Sequence, residues 1–548
     1  MLFIFFSLVF IIPFLMGWGN LLDKIFPSKI KGISGKTISG ILFLGLIFTA
    51  LSFFIALNIY VEIPVILIGL FYFFKDKIYL DFYKLPKGNA VLLCIFGAIV
   101  LYCGSSYPFI LDHFGYYIPS IKWLTEVGLV KGISNLDLIL GQMSMWHILQ
   151  AGFSNFCDPF LKLNTILLII YLFYIIENES WIHLFFIPVL LFFTQSPSPD
   201  LPVIVLSLII LNEIFIGNKA ISFLFALSIF AFSIKPTIIW LPFFIILYSI
   251  FCVKLDVKKL IFGFCIFLLF IFKNIWTFGY PVFPVAVLDL GFSWKPNPEL
   301  LHSSSQLAIV KTYDEQFSYQ EIMKFSWFEY IKNWFLIPGI KSFIHIGFVL
   351  TLVGFIIFSF IKKNKIISIL CISVLLKSIL VLLFSAQYRF FLEVFFVVFL
   401  VIGYQIFSKK ITVSFSLIMS ILFCGIFTFP KLIQQSIPSF QLGKFIVEKD
   451  CMQLYKPSHY QYKNFEKFKI GNLKFNVSKQ YPFNFDTPIP AISENYVFDY
   501  QKAKIFPQMI DKNNIKKGFI WKKLNHAEEK EVEKTVHAIK SHYPQTEK

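Results

Sequence analysis

The chain has 548 residues, of which 57% are hydrophobic and only 15% charged; 71 are phenylalanine, and the mean hydropathy is +0.72. This excludes an ordinary soluble domain and a disordered chain, and it implies a multi-pass membrane protein. The net charge of +17 would suggest nucleic acid in a soluble chain, but here most lysines fall in short loops beside apolar runs, so no nucleic-acid partner is expected.

Apolar runs measured against the roughly 20 residues needed to cross a bilayer give about fourteen candidate spans. They cover residues 2–17, 40–58, 61–74, 89–107, 164–178, 181–194, 200–217, 220–234, 236–253, 258–278, 343–361, 366–386, 389–407 and 411–429. The short runs at 61–74 and 164–194 suit tilted or re-entrant segments, so about 12–14 helices are expected in an all-α polytopic core. The first run has neither a basic leader nor a small-residue cleavage site, which predicts a retained helix. After residue 430 the long apolar runs stop. Residues 430–525 read as a small mixed α/β domain, with Phe468 to Phe475 alternating about Gly471-Asn472 as in a hairpin. Residues 526–548 read as an exposed charged helix and tail.

The lysines set an orientation. Alternate connections carry Lys24, Lys29, Lys31 and Lys36; Lys75, Lys77, Lys84 and Lys87; Lys219; Lys254, Lys258 and Lys259; Lys362, Lys363 and Lys365; and Lys409 and Lys410. That side is read as cytoplasmic. Five polar or proline-bearing islands then share the opposite, outward face: 111–117, 196–202, 234–236, 279–284 and 387–390. The outward segment 108–163 carries Tyr116 to Leu124, which suits amphipathic helices lying in the interface. A second outward segment, 285–342, is read as a lid over an outward cavity.

Arg389 is the only arginine among 49 basic residues. A guanidinium offers a rigid fork for carboxylate or phosphate where an ammonium offers a point charge, so the position points to a site. Glu393, four residues on, is its structural rival as an intrahelical partner. Asp112 reads either as a helix cap or as a general base. Lys377, within an apolar run, and Lys235, before Pro236, are further candidate cations. Asp200 reads as a cap or a second carboxylate; His113, Tyr116, Tyr117, His147, Tyr280 and Tyr388 are candidate cavity residues. The eight cysteines show no CxxC and read as small hydrophobes; no metal cluster, phosphate loop or dinucleotide fingerprint is present, so no cofactor is evident, and a divalent metal is left open without support from the residues.

The aspartate followed by YYIPSIKWLTEVGLVKGISNL, then SPSPDLP, KNIWTFGYPVFP and SAQYRF, resembles the GT-C superfamily of lipid-linked-sugar glycosyltransferases, within a poorly characterised bacterial branch. The resemblance covers roughly 89–430, and its specificity lies in the order and sidedness of the motifs. It implies N-terminal membrane helices over 1–88 and a GT-C-like core over 89–429 with outward loops 108–163 and 279–342. It implies transfer of a sugar from a polyprenyl phosphate or pyrophosphate donor to a glycan, lipid or protein acceptor, outside a bacterial inner membrane. By this resemblance Asp112 would be the base or the acceptor-orienting residue and Arg389 would bind the donor phosphate; Lys377 and Lys235 are the further cations that could assist it. A polysaccharide polymerase or ligase, and a non-catalytic transporter of a lipid-linked glycan, are the alternatives.

Overall fold

Glycine decides how the first helices meet. In the computed structural model, which describes residues 1–85, 87–254, 257–404, 406–436, 449–458 and 462–542, Leu2–Ile25 packs against both Gly32–Ser52 and Ile59–Lys75. A Cβ added at Gly19 would stand 1.7 Å from the Lys36 carbonyl oxygen, and one at Gly17 would stand 1.9 Å from that of Gly69. Backbones come this close only where no side chain intervenes, as in small-residue packing between apolar helices.

Each apolar run is helical over most of its length. Among the described residues, seven helices are long and apolar enough to cross a membrane: Leu2–Ile25, Gly32–Ser52, Pro236–Val253, Lys258–Phe278, Ile340–Lys362, Lys365–Phe384 and Lys409–Thr428. The pair Ile78–Lys84 and Gly88–Gly104, bent by 107°, makes an eighth if the two are counted as one span. Part of the difference from the expected 12–14 lies in the helices Leu163–Glu177, Asp200–Phe215 and Ile221–Ile234. At ~1.5 Å per residue they fall short of a ~30 Å apolar layer. Nearly all their side chains are buried, so they form the centre of the bundle and are apolar on every face. The long helices Ile340–Lys362 and Lys409–Thr428 are instead largely exposed, with 17% and 22% of their apolar windows buried.

The C-terminal unit contains two antiparallel hairpins. Phe465–Ile470 pairs with Leu473–Ser478 around the expected Gly471-Asn472 turn, where Gly471 takes φ +57°, and Ile505–Met509 pairs with Phe519–Lys523. Helix Glu494–Lys502 packs with both the second hairpin and the last helix, His526–Ser541. That last helix is no free tail: Val532, Val536 and Ile539 are buried, so a stripe at helical spacing joins it to the unit. Residues 437–448, 459–461 and 543–548, parts of the expected domain and tail, lie outside the described residues.

This unit covers the 108–163 segment. Trp123, Leu124 and Trp146 are buried, and the expected interfacial helices are packed inside the protein instead. Trp123 meets Phe519 edge-on at 5.9 Å, and the Phe519 backbone N–H donates to the Lys131 carbonyl at 2.9 Å. The Phe485 N–H donates to the Phe114 carbonyl at 3.0 Å. Asp137 is the polar fastener: its carboxylate accepts from Asn484 Nδ2 at 2.6 Å, Ser493 Oγ at 2.8 Å and Ser493 N–H at 3.1 Å.

Burial pushes the Asp137 carboxyl up to about 7, although the Ser493 and Asn484 donors pull the other way. The folded value lies above that of the unfolded carboxyl. The resulting stabilisation is therefore complete below about pH 4 and lost as pH rises through 7. The melting temperature of the C-terminal unit should fall between pH 5 and pH 8, by roughly a few degrees for each kcal/mol lost. In Asp137→Asn that dependence should vanish, and thermal unfolding followed across this pH range checks it.

Candidate functional site

Asp112 precedes a single wide helical turn, His113–Tyr117, which leads into Ile118–Glu126. Its side chain makes no capping bond; the carboxylate instead accepts from Arg389 Nη1 at 3.2 Å. Arg389 sits in the short turn Tyr388–Phe390, between Lys365–Phe384 and Leu392–Gly403. Two residues 277 positions apart thus share one ion pair, with side chains 45% and 42% exposed. The guanidinium also lies 5.0 Å from the Phe390 ring centroid.

The rival pairing is taken elsewhere. Glu393 forms an ion pair with Lys377, and the two side chains are 5% and 1% exposed. The Lys377 ammonium also donates to the Phe390 carbonyl, so it braces the Arg389 turn from within. This corrects the expectation that Lys377 faces a donor phosphate. A charge inside an apolar helix pair is held by the nearest carboxylate and carbonyl.

Lys235 remains at the surface of the group. Its ammonium pairs with Asp200, donates to the Arg389 carbonyl at 3.2 Å and lies 5.6 Å from the Phe390 ring centroid. Asp200 opens the helix Asp200–Phe215, where a carboxylate suits the positive helix end; it accepts from Ser198 Oγ at 3.0 Å. Two acid–base pairs, Asp112–Arg389 and Asp200–Lys235, therefore lie side by side, joined through the Arg389 carbonyl.

Aromatic rings support them from below. Tyr116 and Tyr117 flank His147 with centroids 4.9 and 4.8 Å away. Tyr116 Oη accepts from the Ser144 N–H at 3.3 Å, and Tyr117 bonds to Ser198. Burial first, and then the nearby Asp112 carboxylate, push the Tyr117 hydroxyl up; Asp200 adds to this. The fully buried His147 donates from Nε2 to the Pro197 carbonyl at 3.1 Å, and burial pulls its imidazole down to about 3. Its ring is packed between those of Tyr116 and Tyr117. His113 is buried against Phe114.

Tyr388 is 39% exposed beside Arg389, whereas Tyr280 packs with Leu138, Phe278, Phe283 and Leu301, away from the ion pairs. A cavity of about 10 Å³, room for about one water, touches Ser144, Ser233, Pro236, Asn274 and Phe283 next to Lys235. Through it the 279–284 island meets the 234–236 island, so all five polar islands converge. Ser198 belongs to the 196–202 island, whereas Ser144 carried no signal in the sequence, because it holds Tyr116 through its backbone N–H. Among the described residues, no group of three or more His, Cys, Asp or Glu side chains is placed to hold a metal ion.

Removing one member of the buried pair strands the other. Lys377→Met should cost about 3–5 kcal/mol, most of it recovered when Glu393→Leu is added. On the half-exposed pair, Asp112→Asn and Arg389→Lys should each change stability by at most about 1 kcal/mol. Thermal unfolding of the purified variants measures both, and a larger loss for Arg389→Lys than for Lys377→Met would contradict this division of labour.

No curated protein and no solved structure matches this chain. One family profile does, over residues 1–396, a stretch that holds Asp112, Asp200, Lys235, Lys377, Arg389 and Glu393 and stops short of the C-terminal unit. The chain therefore belongs to the family described as Domain of unknown function (DUF8201).

Proposed function

We propose that this protein is a multi-pass membrane glycosyltransferase of GT-C-like kind. In this reading it moves a sugar from a polyprenyl phosphate or pyrophosphate donor to an acceptor on the extracytoplasmic face of a bacterial inner membrane. The observation that carries this reading is the half-exposed Asp112–Arg389 pair, with Lys235–Asp200 beside it. It joins the one residue type suited to grip a phosphate with the carboxylate suited to take a proton.

The pairing also suggests how the two roles are linked. Without donor, Asp112 occupies Arg389. A donor phosphate, carrying more charge and more acceptor oxygens than a carboxylate, competes for that guanidinium. The displaced carboxylate then takes the proton of an acceptor hydroxyl, whose oxygen attacks the sugar's anomeric carbon. The bond from that carbon to the phosphate oxygen breaks, and its electron pair leaves with the phosphate. Arg389, with Lys235 beside it, stabilises the charge that develops there. Lys377 and Glu393 hold the turn and do not touch substrate.

Asp112→Asn should lower transfer of labelled sugar from lipid-linked donors by about 10²–10⁴-fold. The same change should tighten binding of polyprenyl phosphate, because the competing carboxylate charge is gone. Arg389→Lys should weaken both. If the wild type transfers nothing from a broad donor panel, or both variants transfer normally, the catalytic reading falls and transport of a lipid-linked glycan takes its place.

A further inference from the structure

The segment between residues 298 and 340 lies against the Arg389 turn. Ser385 Oγ donates to the Ala308 carbonyl at 3.1 Å, and Trp334 Nε1 donates to the Ala386 carbonyl at 2.8 Å. The Trp334 ring stacks on His345 at 4.1 Å and meets Phe391 at 6.2 Å. One side of the helix Trp327–Phe335 is thereby fastened to the chain that carries Arg389. A reciprocal cap between Ser326 and Glu329 fixes where this helix begins.

The arc next to it has no cover. Trp327, Phe328 and Ile331 are 78%, 61% and 45% exposed. At ~100° per residue they fall within roughly a third of the helix circumference, and Glu329, Lys332 and Asn333 fill the neighbouring arc. Leu336, Ile340 and Phe343, which follow along the chain into the long helix Ile340–Lys362, are exposed as well. Apolar patches of this extent are rarely left to water. A lid over a cavity would turn this face inward, so the lid expected of residues 285–342 does not describe this helix.

We propose that the Trp327–Phe328–Ile331 face is seated in the headgroup and acyl boundary of one bilayer leaflet, and that this seating fixes Arg389 at headgroup depth. The inference rests on the membrane reading of the chain. Lipid is the occupant because the helix Trp327–Phe335 packs against, and leads within a few residues into, Ile340–Lys362, which is long and apolar enough to cross a bilayer and only 17% buried along its apolar window. The pattern itself, an exposed tryptophan with acidic and basic neighbours on the next arc, suits a helix lying in the interface. A phosphate at headgroup level would then meet Arg389 without leaving the plane of the lipids.

The test is fluorescence of the full-length protein in nanodiscs, taken as the wild-type emission minus that of Trp327→Phe. The expected difference emission is blue-shifted from that of tryptophan in water. It should lose about half its intensity when the acyl chains carry bromine near the glycerol end, and respond little to aqueous acrylamide. A difference emission quenched by acrylamide and untouched by brominated lipid overturns the proposal. So does one quenched by neither and accompanied by cross-linking through this face to a second copy. If no tryptophan of the protein responds to brominated lipid, the membrane reading itself falls. If total emission responds and the Trp327 share does not, only this inference falls.

Discussion

Charge in apolar surroundings is the constraint on which this architecture turns. An ammonium or carboxylate among phenylalanine and isoleucine side chains has no water to hold it, so it must meet an opposite charge or a carbonyl. Lys377 illustrates the rule: it is buried on its helix and reaches both Glu393 and the Phe390 carbonyl. Because those partners lie on the next helix and in the turn between, one ion pair sets how two helices meet and how the chain bends between them. That bend, in turn, presents Arg389 to Asp112.

The same constraint grades the charged groups by depth. Lys377 and Glu393 are almost wholly buried, Lys235 and Asp200 are partly so, and Arg389 and Asp112 are about half exposed. Groups held deepest have the least freedom to exchange partners, and those at the surface have the most. A ligand able to trade places with a carboxylate therefore finds its easiest exchange at Arg389, while the deeper pair keeps the turn in shape. Tyr116, Tyr117 and His147, packed against one another and against the 144 and 197–198 backbone, hold the Asp112 side in the same way.

Much of this could be read in the sequence. A single arginine among lysines, an aspartate at the end of an apolar run and a lysine inside one are local anomalies, and each proved to belong to one group of ion pairs. Their pairing was not legible, because Lys377 and Glu393 stand 16 residues apart on different helices, and spacing along one helix favoured Arg389 with Glu393 instead. Asp137 was passed over because a lone aspartate looks solvated until Asn484 and Ser493, some 350 residues later, are folded onto it. The number of membrane-length helices was overstated for a related reason. Apolar runs such as 221–234 are as hydrophobic as a span, and only their length and complete burial distinguish a core helix from one that meets lipid.

The 277 residues between Asp112 and Arg389 also impose an order of assembly. Synthesis runs from the N-terminus, so the aspartate's turn is made long before its cation, and the central helices 163–234 are complete while Arg389 has yet to be translated. The half-site with Asp200 and Lys235 can close early, since both belong to that first stretch. The guanidinium arrives only with the helical hairpin 365–403, and the C-terminal unit that covers the aspartate's segment arrives later still. A nascent chain therefore carries Asp112 without its guanidinium while 277 further positions are made, and the ion pair closes only in the last third of synthesis.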